Sequence, residues 1–229
     1  MALEATFQPA NIDSYIGANQ ATTNYGSATE IRIGEHSAIT GEIYRGLLKF
    51  DGLSDGTIRP NSTINSCVLY LYKYGDISGV IRYNDVYRLK RAWVGSEVTW
   101  NVWKTGSNWS SAGGFHADDC EQTRIGRRIN SAGEGNGFKD WTLDNAAIQE
   151  IVAGTWANNG FLIRTDAETN DGYQYYSSNY AVNAALRPYL YVNWTINTYV
   201  KTINSVTSLN VKTLNGNDIS DTKSVLGLP

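Results

Sequence analysis

Two histidines, two cysteines and a scatter of carboxylates are the residues of this chain with obvious catalytic chemistry. His36 and His116 are its only imidazoles, so a nucleophile–base–acid triad has just two possible centres. One short run gathers metal-ligand chemistry: His116, Asp118, Asp119, Cys120 and Glu121. Neighbours in sequence rarely converge on one ion, and no second Cys or His group answers them, so the run reads as a solvated loop rather than a metal site. A second run, Asp166, Glu168, Asn170 and Asp171 before Gly172, spaces oxygen side chains as calcium loops do but lacks the full ligand pattern and the terminal Glu. It predicts a polar hairpin; a structural calcium ion is the alternative there, and no other cofactor is expected. Carboxylates are plentiful, yet no spacing singles out a glycosidase pair. The chain is therefore expected not to be an enzyme.

Aromatic residues are the other chemical resource, with 7 Trp and 15 Tyr. Trp93, Trp100, Trp141, Trp156 and Trp194 fall in strand-like or helix-like contexts, where large rings serve the core. Trp103 and Trp109 lie in a loop-like region, and Tyr173, Tyr175 and Tyr176 share one short run; these five are the candidates for stacking on sugar rings. Packing is the competing role for each.

The elements that must position these residues read as β-strands. The run Gly46 to Tyr72 holds Leu47-Leu48-Lys49-Phe50 and Ser66-Cys67-Val68-Leu69-Tyr70-Leu71-Tyr72, separated by a Gly-, Asp-, Pro- and Asn-rich connection that gives it a hairpin-like look. Both alternating faces of the second run are apolar or aromatic, as in a central strand covered on both sides of a two-layer sandwich. Further strands are predicted around Ser14-Tyr15-Ile16, Glu30-Ile31-Arg32-Ile33, 80–91, 160–164, 173–177 and 187–192. Residues 102–138 are poor in aliphatics and rich in Gly, Ser and Asn, so they read as a long irregular loop and the first place to seek a ligand. The pattern Trp141-Thr142-Leu143-Asp144-Asn145-Ala146-Ala147-Ile148 through Gly154 predicts the one helix, capped by Asp144 or Thr142 and stopped by Gly154.

Composition sets the outer limits. The chain has 229 residues, a formal charge of −3 and a hydrophobic fraction of 41%, enough for one all-β domain of ordinary size with an appendage. That charge argues against a phosphate-binding surface, and so against nucleic acid as a partner. No basic segment followed by an apolar run opens the chain, and no apolar stretch reaches transmembrane length. Action inside the producing cell, or exit by assembly and lysis, is the expectation, with no membrane partner. Cys67 and Cys120 are expected to be free thiols.

Seven short blocks in order carry a family resemblance: Asp13-Ser14-Tyr15-Ile16; Asn24-Tyr25-Gly26; Gly46-Leu47-Leu48-Lys49-Phe50-Asp51; Ala92-Trp93 with Glu97-Val98-Thr99-Trp100-Asn101; Asn159-Gly160-Phe161-Leu162-Ile163; Tyr176-Ser177-Ser178; and Arg187-Pro188-Tyr189-Leu190. Together, over about residues 7–195, they resemble the DNRLRE domain, a module related to disaggregatase-associated carbohydrate-binding modules. The resemblance implies a non-catalytic antiparallel jelly-roll β-sandwich, with glycan binding, of alginate-like polymers in some members, in part of the family. The sequence departs from it at His116 to Cys120, where relatives carry a Gly-Asp-Tyr-like turn.

After this domain, over 1–196, comes an arm, 197–229, with an eleven-residue period. Val200, Lys201 and Ile203 align with Val211, Lys212 and Leu214, and then with Lys223 and Val225. Each copy has too few apolar residues to offset a backbone ordering cost of about 1–2 kcal/mol per residue, so the arm needs a surface to lie against. It is similar to tails of bacteriophage structural proteins. The first expectation is thus a virion decoration, cementing or surface-display subunit, assembled in the host cytoplasm and bound through the arm to a capsid or tail protein, with a homo-oligomer as a further possibility. The alternative is a carbohydrate-binding module recognising an acidic polysaccharide, such as a cell-surface glycan.

Overall fold

The structure, a computed structural model, describes residues 2–35, 41–76, 81–131, 133–169 and 171–197, with the backbone of 213–214 and 217–218. Its strands are β1 (Ala2–Phe7), β2 (Ile12–Gly17), β3 (Glu30–Glu35), β4 (Ile43–Lys49), β5 (Thr63–Asp76), β6 (Arg82–Arg88), β7 (Val102–Lys104), β8 (Ser107–Asn108), β9 (Gly126–Asn130), β10 (Gly137–Thr142), β11 (Phe161–Thr165), β12 (Gly172–Tyr176) and β13 (Tyr189–Thr195), and its α-helix is α1 (Asn145–Ala153). Two short strands, β14 (Thr213–Leu214) and β15 (Asn217–Asp218), pair antiparallel within the stretch expected to form the arm. Val200, Lys201, Ile203, Val211, Lys212, Lys223 and Val225 lie outside the described residues, and only the backbone of Leu214 is described.

The fold is an all-β sandwich made from one antiparallel sheet curled on itself. One wall contains β2, β4, β11, β6 and β9; the other contains β1, β13, β5, β10 and β12. Strand β3 joins them, pairing with β12 along Glu30 to Gly34 and with β4 at Gly34 and Glu35. β4 and β5 stand in opposite walls: β4 pairs with β2, β3 and β11, and β5 with β13, β10 and β12. The hairpin expected from Gly46 to Tyr72 is therefore corrected; its long polar connection crosses between walls.

Alternation along the strands fills the space between them. Cys67, Leu69 and Leu71 of β5 face Ile31, Ile33, Leu48 and Phe161 in the main core, and each of these seven is fully buried. Burial of one such aliphatic or aromatic side chain contributes about 1.5–3 kcal/mol. Helix α1 stoppers one end through Ala147, Ile148, Ile151 and Val152. It starts later than the sequence pattern suggested: Asp144 accepts from Ala146 N (2.8 Å) and Ala147 N (3.3 Å), and Gly154 ends it at φ 76°. Trp141 belongs instead to β10, opposite Leu69, with its ring fully buried.

A second core lies on the back of the β2–β4–β11–β6 wall, where Ile16, Leu47, Leu89 and Leu162 meet Trp93, Val98, Trp109 and Cys120. The covering segment is tied on by Asn24, whose Nδ2 donates to the carbonyls of Gly95 (2.8 Å) and Val98 (2.7 Å). A Cβ on Gly26 would stand 2.0 Å from the Gly95 carbonyl, so only glycine permits that approach. Residues 102–138, expected as one irregular loop, contain β7, β8, β9 and the start of β10. The strand β9 escaped notice because its inward residues, Gly126, Arg128 and Asn130, are polar or absent while Arg127 and Ile129 face out. Cys67 and Cys120 are buried free thiols, as expected.

Candidate functional site

Among the described residues, no layer covers the outer side of the opposite wall. Residues that alternate with the core positions of β5 are Val68, Tyr70, Tyr72 and Tyr74, all half-buried. Strand register brings other rings beside them: Tyr189 of β13 opposite Tyr70, and Phe138 of β10 opposite Tyr72. Tyr176 ends β12, and Tyr180 follows in the turn fixed by Ser177.

These seven rings touch in an unbroken series. Tyr180 stacks on Tyr176 at 3.6 Å and 11°, and Tyr176 on Tyr74 at 4.5 Å and 8° and on Tyr72 at 5.6 Å and 13°. Phe138 meets Tyr72 at 5.2 Å and Tyr189 at 5.3 Å, both edge-to-face. Tyr189 then stacks on Tyr70 at 4.5 Å and 14°. Aromatic pairs in these geometries are each worth about 0.5–1.5 kcal/mol beyond area burial, so the strip is ordered before any ligand arrives. Phe138, with no hydroxyl to solvate, still exposes 39% of its surface.

Three phenol groups of this strip are pushed above their ordinary range. Burial first, then the hydrogen bond to Glu30, pushes the Tyr74 hydroxyl upward; burial raises Tyr189; and the contact with Tyr180 raises Tyr176. Charges at the margin are mainly acidic: Tyr74 donates to Glu30, Tyr191 donates to Glu4 at 2.6 Å, and Asp140 lies close enough to raise Tyr189 further. Glu30 is itself paired with Arg32. The surface thus offers apolar ring, neutral hydroxyl and little positive charge.

Of the five residues expected to meet sugar, Tyr176 is on this strip and three are excluded by burial. Trp109 is 4% exposed, its indole N–H donating to the Thr99 carbonyl at 3.0 Å. Tyr173 and Tyr175 point into the main core, where Tyr175 lies edge-on to Trp141 and its hydroxyl accepts from Asn84. The reason is strand alternation: in β12 the odd positions face inward and Tyr176 faces out. Trp103 is half-buried on β7, with Lys104 Nζ 4.6 Å over its ring, and stands apart from the strip. A depression of about 500 Å³ near Trp109, lined by Thr22, Thr99, Asn101, Asn108 and Ala112, carries no charged side chain.

The two candidate metal clusters disperse. Asp119 is fully buried and accepts from Arg91 Nε and Ser111 N, both at 3.1 Å, while Glu121 pairs with Arg88 and Cys120 is packed in the second core. In the run from Asp166 to Asp171, Glu168 turns to Arg45 (2.7 Å) and Arg164 (2.9 Å), and Asp166 accepts from Tyr83 N. Among the described residues no three His, Cys, Asp or Glu side chains are grouped to hold a metal ion. His36 and Asn170 are outside the described residues.

Sequence reading missed Tyr70, Tyr72, Tyr74, Phe138, Tyr180 and Tyr189. The signal was present in the repeated tyrosines of Leu69-Tyr70-Leu71-Tyr72-Lys73-Tyr74, whose outward set is aromatic without being aliphatic. A covered face would carry Leu, Ile or Val at such positions. The family model of the disaggregatase related repeat domain matches residues 13–192, which include every ring of the strip. No curated protein matches the chain.

Proposed function

The chain belongs to the disaggregatase related repeat domain family, and from that membership we propose that it is a non-catalytic glycan-binding module whose site is the aromatic strip of β5, β10, β12 and β13. The observation that carries the reading is the contact series of seven rings on a sheet face that no other described element covers. Sugar rings present C–H faces that pack on aromatic carbon and hydroxyls that bond to a polar rim, which is the composition of this surface. The strip is open along its length, so it suits an extended chain rather than an enclosed monosaccharide. Glu4, Glu30 and Asp140 at its margin oppose a polyanion, so the strip favours a neutral polysaccharide over the acidic one that the alternative expectation named. Kinship with DNRLRE modules in particular is the finer form of the same proposal.

Affinity electrophoresis through gels containing neutral or uronate-bearing polysaccharides tests it. Replacing Tyr72 and Tyr176 together by Ser should abolish the retardation of the wild-type protein in a neutral glycan, with the domain still folded by circular dichroism. Undiminished retardation of that double variant would remove the strip from the proposal.

A second reading, favoured by the eleven-residue recurrence of Lys201, Lys212 and Lys223, makes the chain a virion structural subunit. The arm, of the kind seen on bacteriophage structural proteins, would hold it to a capsid or tail protein while the strip faces outward. Native mass of the full chain beside one ending at Asn197 checks this: assembly of the first and not the second supports it, and equal assembly of both excludes the arm as the device.

A further inference from the structure

The two ends of the sandwich are filled differently. Helix α1 closes one with apolar side chains. Toward the other, the inward series of β5 passes from Cys67, Leu69 and Leu71 to Lys73, and that of β10 from Trp141 to Lys139. Arg128 and Asn130 enter the same space from β9.

Lys73 and Asn130 are fully buried and Lys139 is 6% exposed. Lys73 Nζ donates to Asp76 Oδ2 at 2.9 Å and to the Glu134 carbonyl at 2.5 Å. The Glu134 carboxylate spans the guanidinium of Arg128, with Oε2 3.0 Å from Nη1 and Oε1 against Nη2, and it also lies 3.0 Å from Lys139 Nζ. Burial would raise this carboxyl, but the bonds to Arg128 and Lys139 outweigh it and hold it below the ordinary range. Three cations therefore face two carboxylates, an excess of one positive charge by formal count (3 − 2).

A donor in this space is also unused. Asn130 Oδ1 accepts from Arg128 Nη1 at 2.5 Å, and its Nδ2 has no hydrogen-bond partner. A buried amide donor left unpaired costs about 1–3 kcal/mol, a cost removed when an acceptor enters. The carboxylate occupying the seat comes from Gly133-Glu134-Gly135-Asn136-Gly137. A Cβ on Gly133 or Gly135 would meet nothing within 4 Å, so there is open space on both sides of Glu134. The Glu134 side chain is held by its ion pairs with Arg128 and Lys139, and its backbone by bonds to Lys73 Nζ and the Ser131 carbonyl.

We propose that this end of the sandwich is a second binding site, for a carboxylate-bearing ligand, in which the Glu134 side chain is a tethered occupant that an incoming carboxylate replaces on Arg128 and Lys139, with Asn130 supplying a further donor. The guanidinium fork of Arg128 matches a planar carboxylate bidentately. A tethered group competes at an effective concentration in roughly the millimolar range, so the wild-type site is weak for a free ligand and becomes strong when the tether is neutralised. The site is independent of the aromatic strip and stands if that assignment fails.

Titration calorimetry with sodium glucuronate and with glucose, at matched ionic strength, tests the site on the full chain. Glu134→Gln should bind glucuronate at least about tenfold more tightly than the wild type, bind no glucose, and lose the gain when Lys139→Met is added. Equal affinity of wild type and Glu134→Gln, or equal response to glucose, would overturn the proposal. Should Glu134→Gln fail to fold, the wild type decides: glucuronate must raise its thermal midpoint above that in sodium chloride of the same ionic strength, and no rise refutes the site.

Discussion

Two regions of this molecule are rich in aromatic rings and use them in opposite ways. On the back of the β2–β4–β11–β6 wall, Trp93 and Trp109 lie under the segment 93–120, and each indole N–H ends on a loop carbonyl: Asn159 for Trp93 at 2.9 Å and Thr99 for Trp109 at 3.0 Å. Trp100 beside them receives the Arg45 guanidinium at 4.8 Å. On the outer side of the other wall, tyrosines stack on one another, and the hydroxyl of Tyr74 ends on the Glu30 side chain rather than on backbone. An indole donor satisfied by backbone marks a ring enclosed by its own chain; a phenol on an uncovered strand position marks a ring available to something else. Aromatic content alone does not locate a binding surface, whereas strand register does.

The largest effect that would break this comparison is expected at Trp109. Trp109→Ala removes a 4%-exposed ring from the second core and orphans the Thr99 carbonyl. It should cost about 3–5 kcal/mol in denaturant unfolding, with glycan retention of the folded fraction unchanged. A cost near zero would mean that the covering layer is not a core.

The next effect concerns the fastening between the two regions. Asp13 on β2 accepts from Ser178 N at 2.6 Å and from Ser178 Oγ at 2.9 Å, and so fixes the turn that presents Tyr180 to Tyr176. The Asp13 carboxylate is thus a holder of this turn. Burial raises the Asp13 carboxyl from its ordinary 3.8 to about 6, against the opposing pull of Ser178 and Arg187. The folded protein therefore holds the proton more tightly than the unfolded chain, so the contribution of Asp13 to stability is complete below about pH 3.8 and is lost as pH rises through about 6. Relative to Asp13→Asn, the wild type should lose up to about 3 kcal/mol between pH 4 and pH 7, measured by urea unfolding at each pH. A constant difference across that window would show that Asp13 does not titrate there.

Periodicity made the strands legible because residues i and i+2 of a strand share a face: β2, β3, β6, β11, β12 and β13 all fall near their expected places. The same rule was not carried far enough at Tyr173, Tyr175 and Tyr176, which were grouped by type although alternation divides them. What could not be read was pairing. Nothing local to Phe50 and Thr63 says that the chain changes walls between them, and the strip exists only because β10 and β13 flank β5 from sequence positions about seventy and one hundred and twenty residues away. The polar end was hidden for a related reason: Lys73, Arg128 and Lys139 look like solvated positions until three strands point them into one space.

The smallest expected effect on stability is also the sharpest separation of the two regions. Tyr180 closes the strip at one end, follows no strand position, and stacks on Tyr176 alone among the seven rings. Tyr180→Ser therefore removes one half-exposed pair, worth about 0.5–1.5 kcal/mol, and opens no cavity in either core. A terminal ring has one face free of neighbours, so its loss should shorten the contact with an extended glycan and weaken retention by up to about tenfold for a ring contact of this size. Tyr180→Phe keeps the ring that stacks on Tyr176 and should bind nearly as the wild type does. If Tyr180→Ser destabilises as much as Trp109→Ala, the strip is a packed element and its openness is misjudged. If it does neither, the ligand contact lies at the Phe138 and Tyr189 end, and the same pair of substitutions at Tyr189 then decides whether any part of the strip meets sugar.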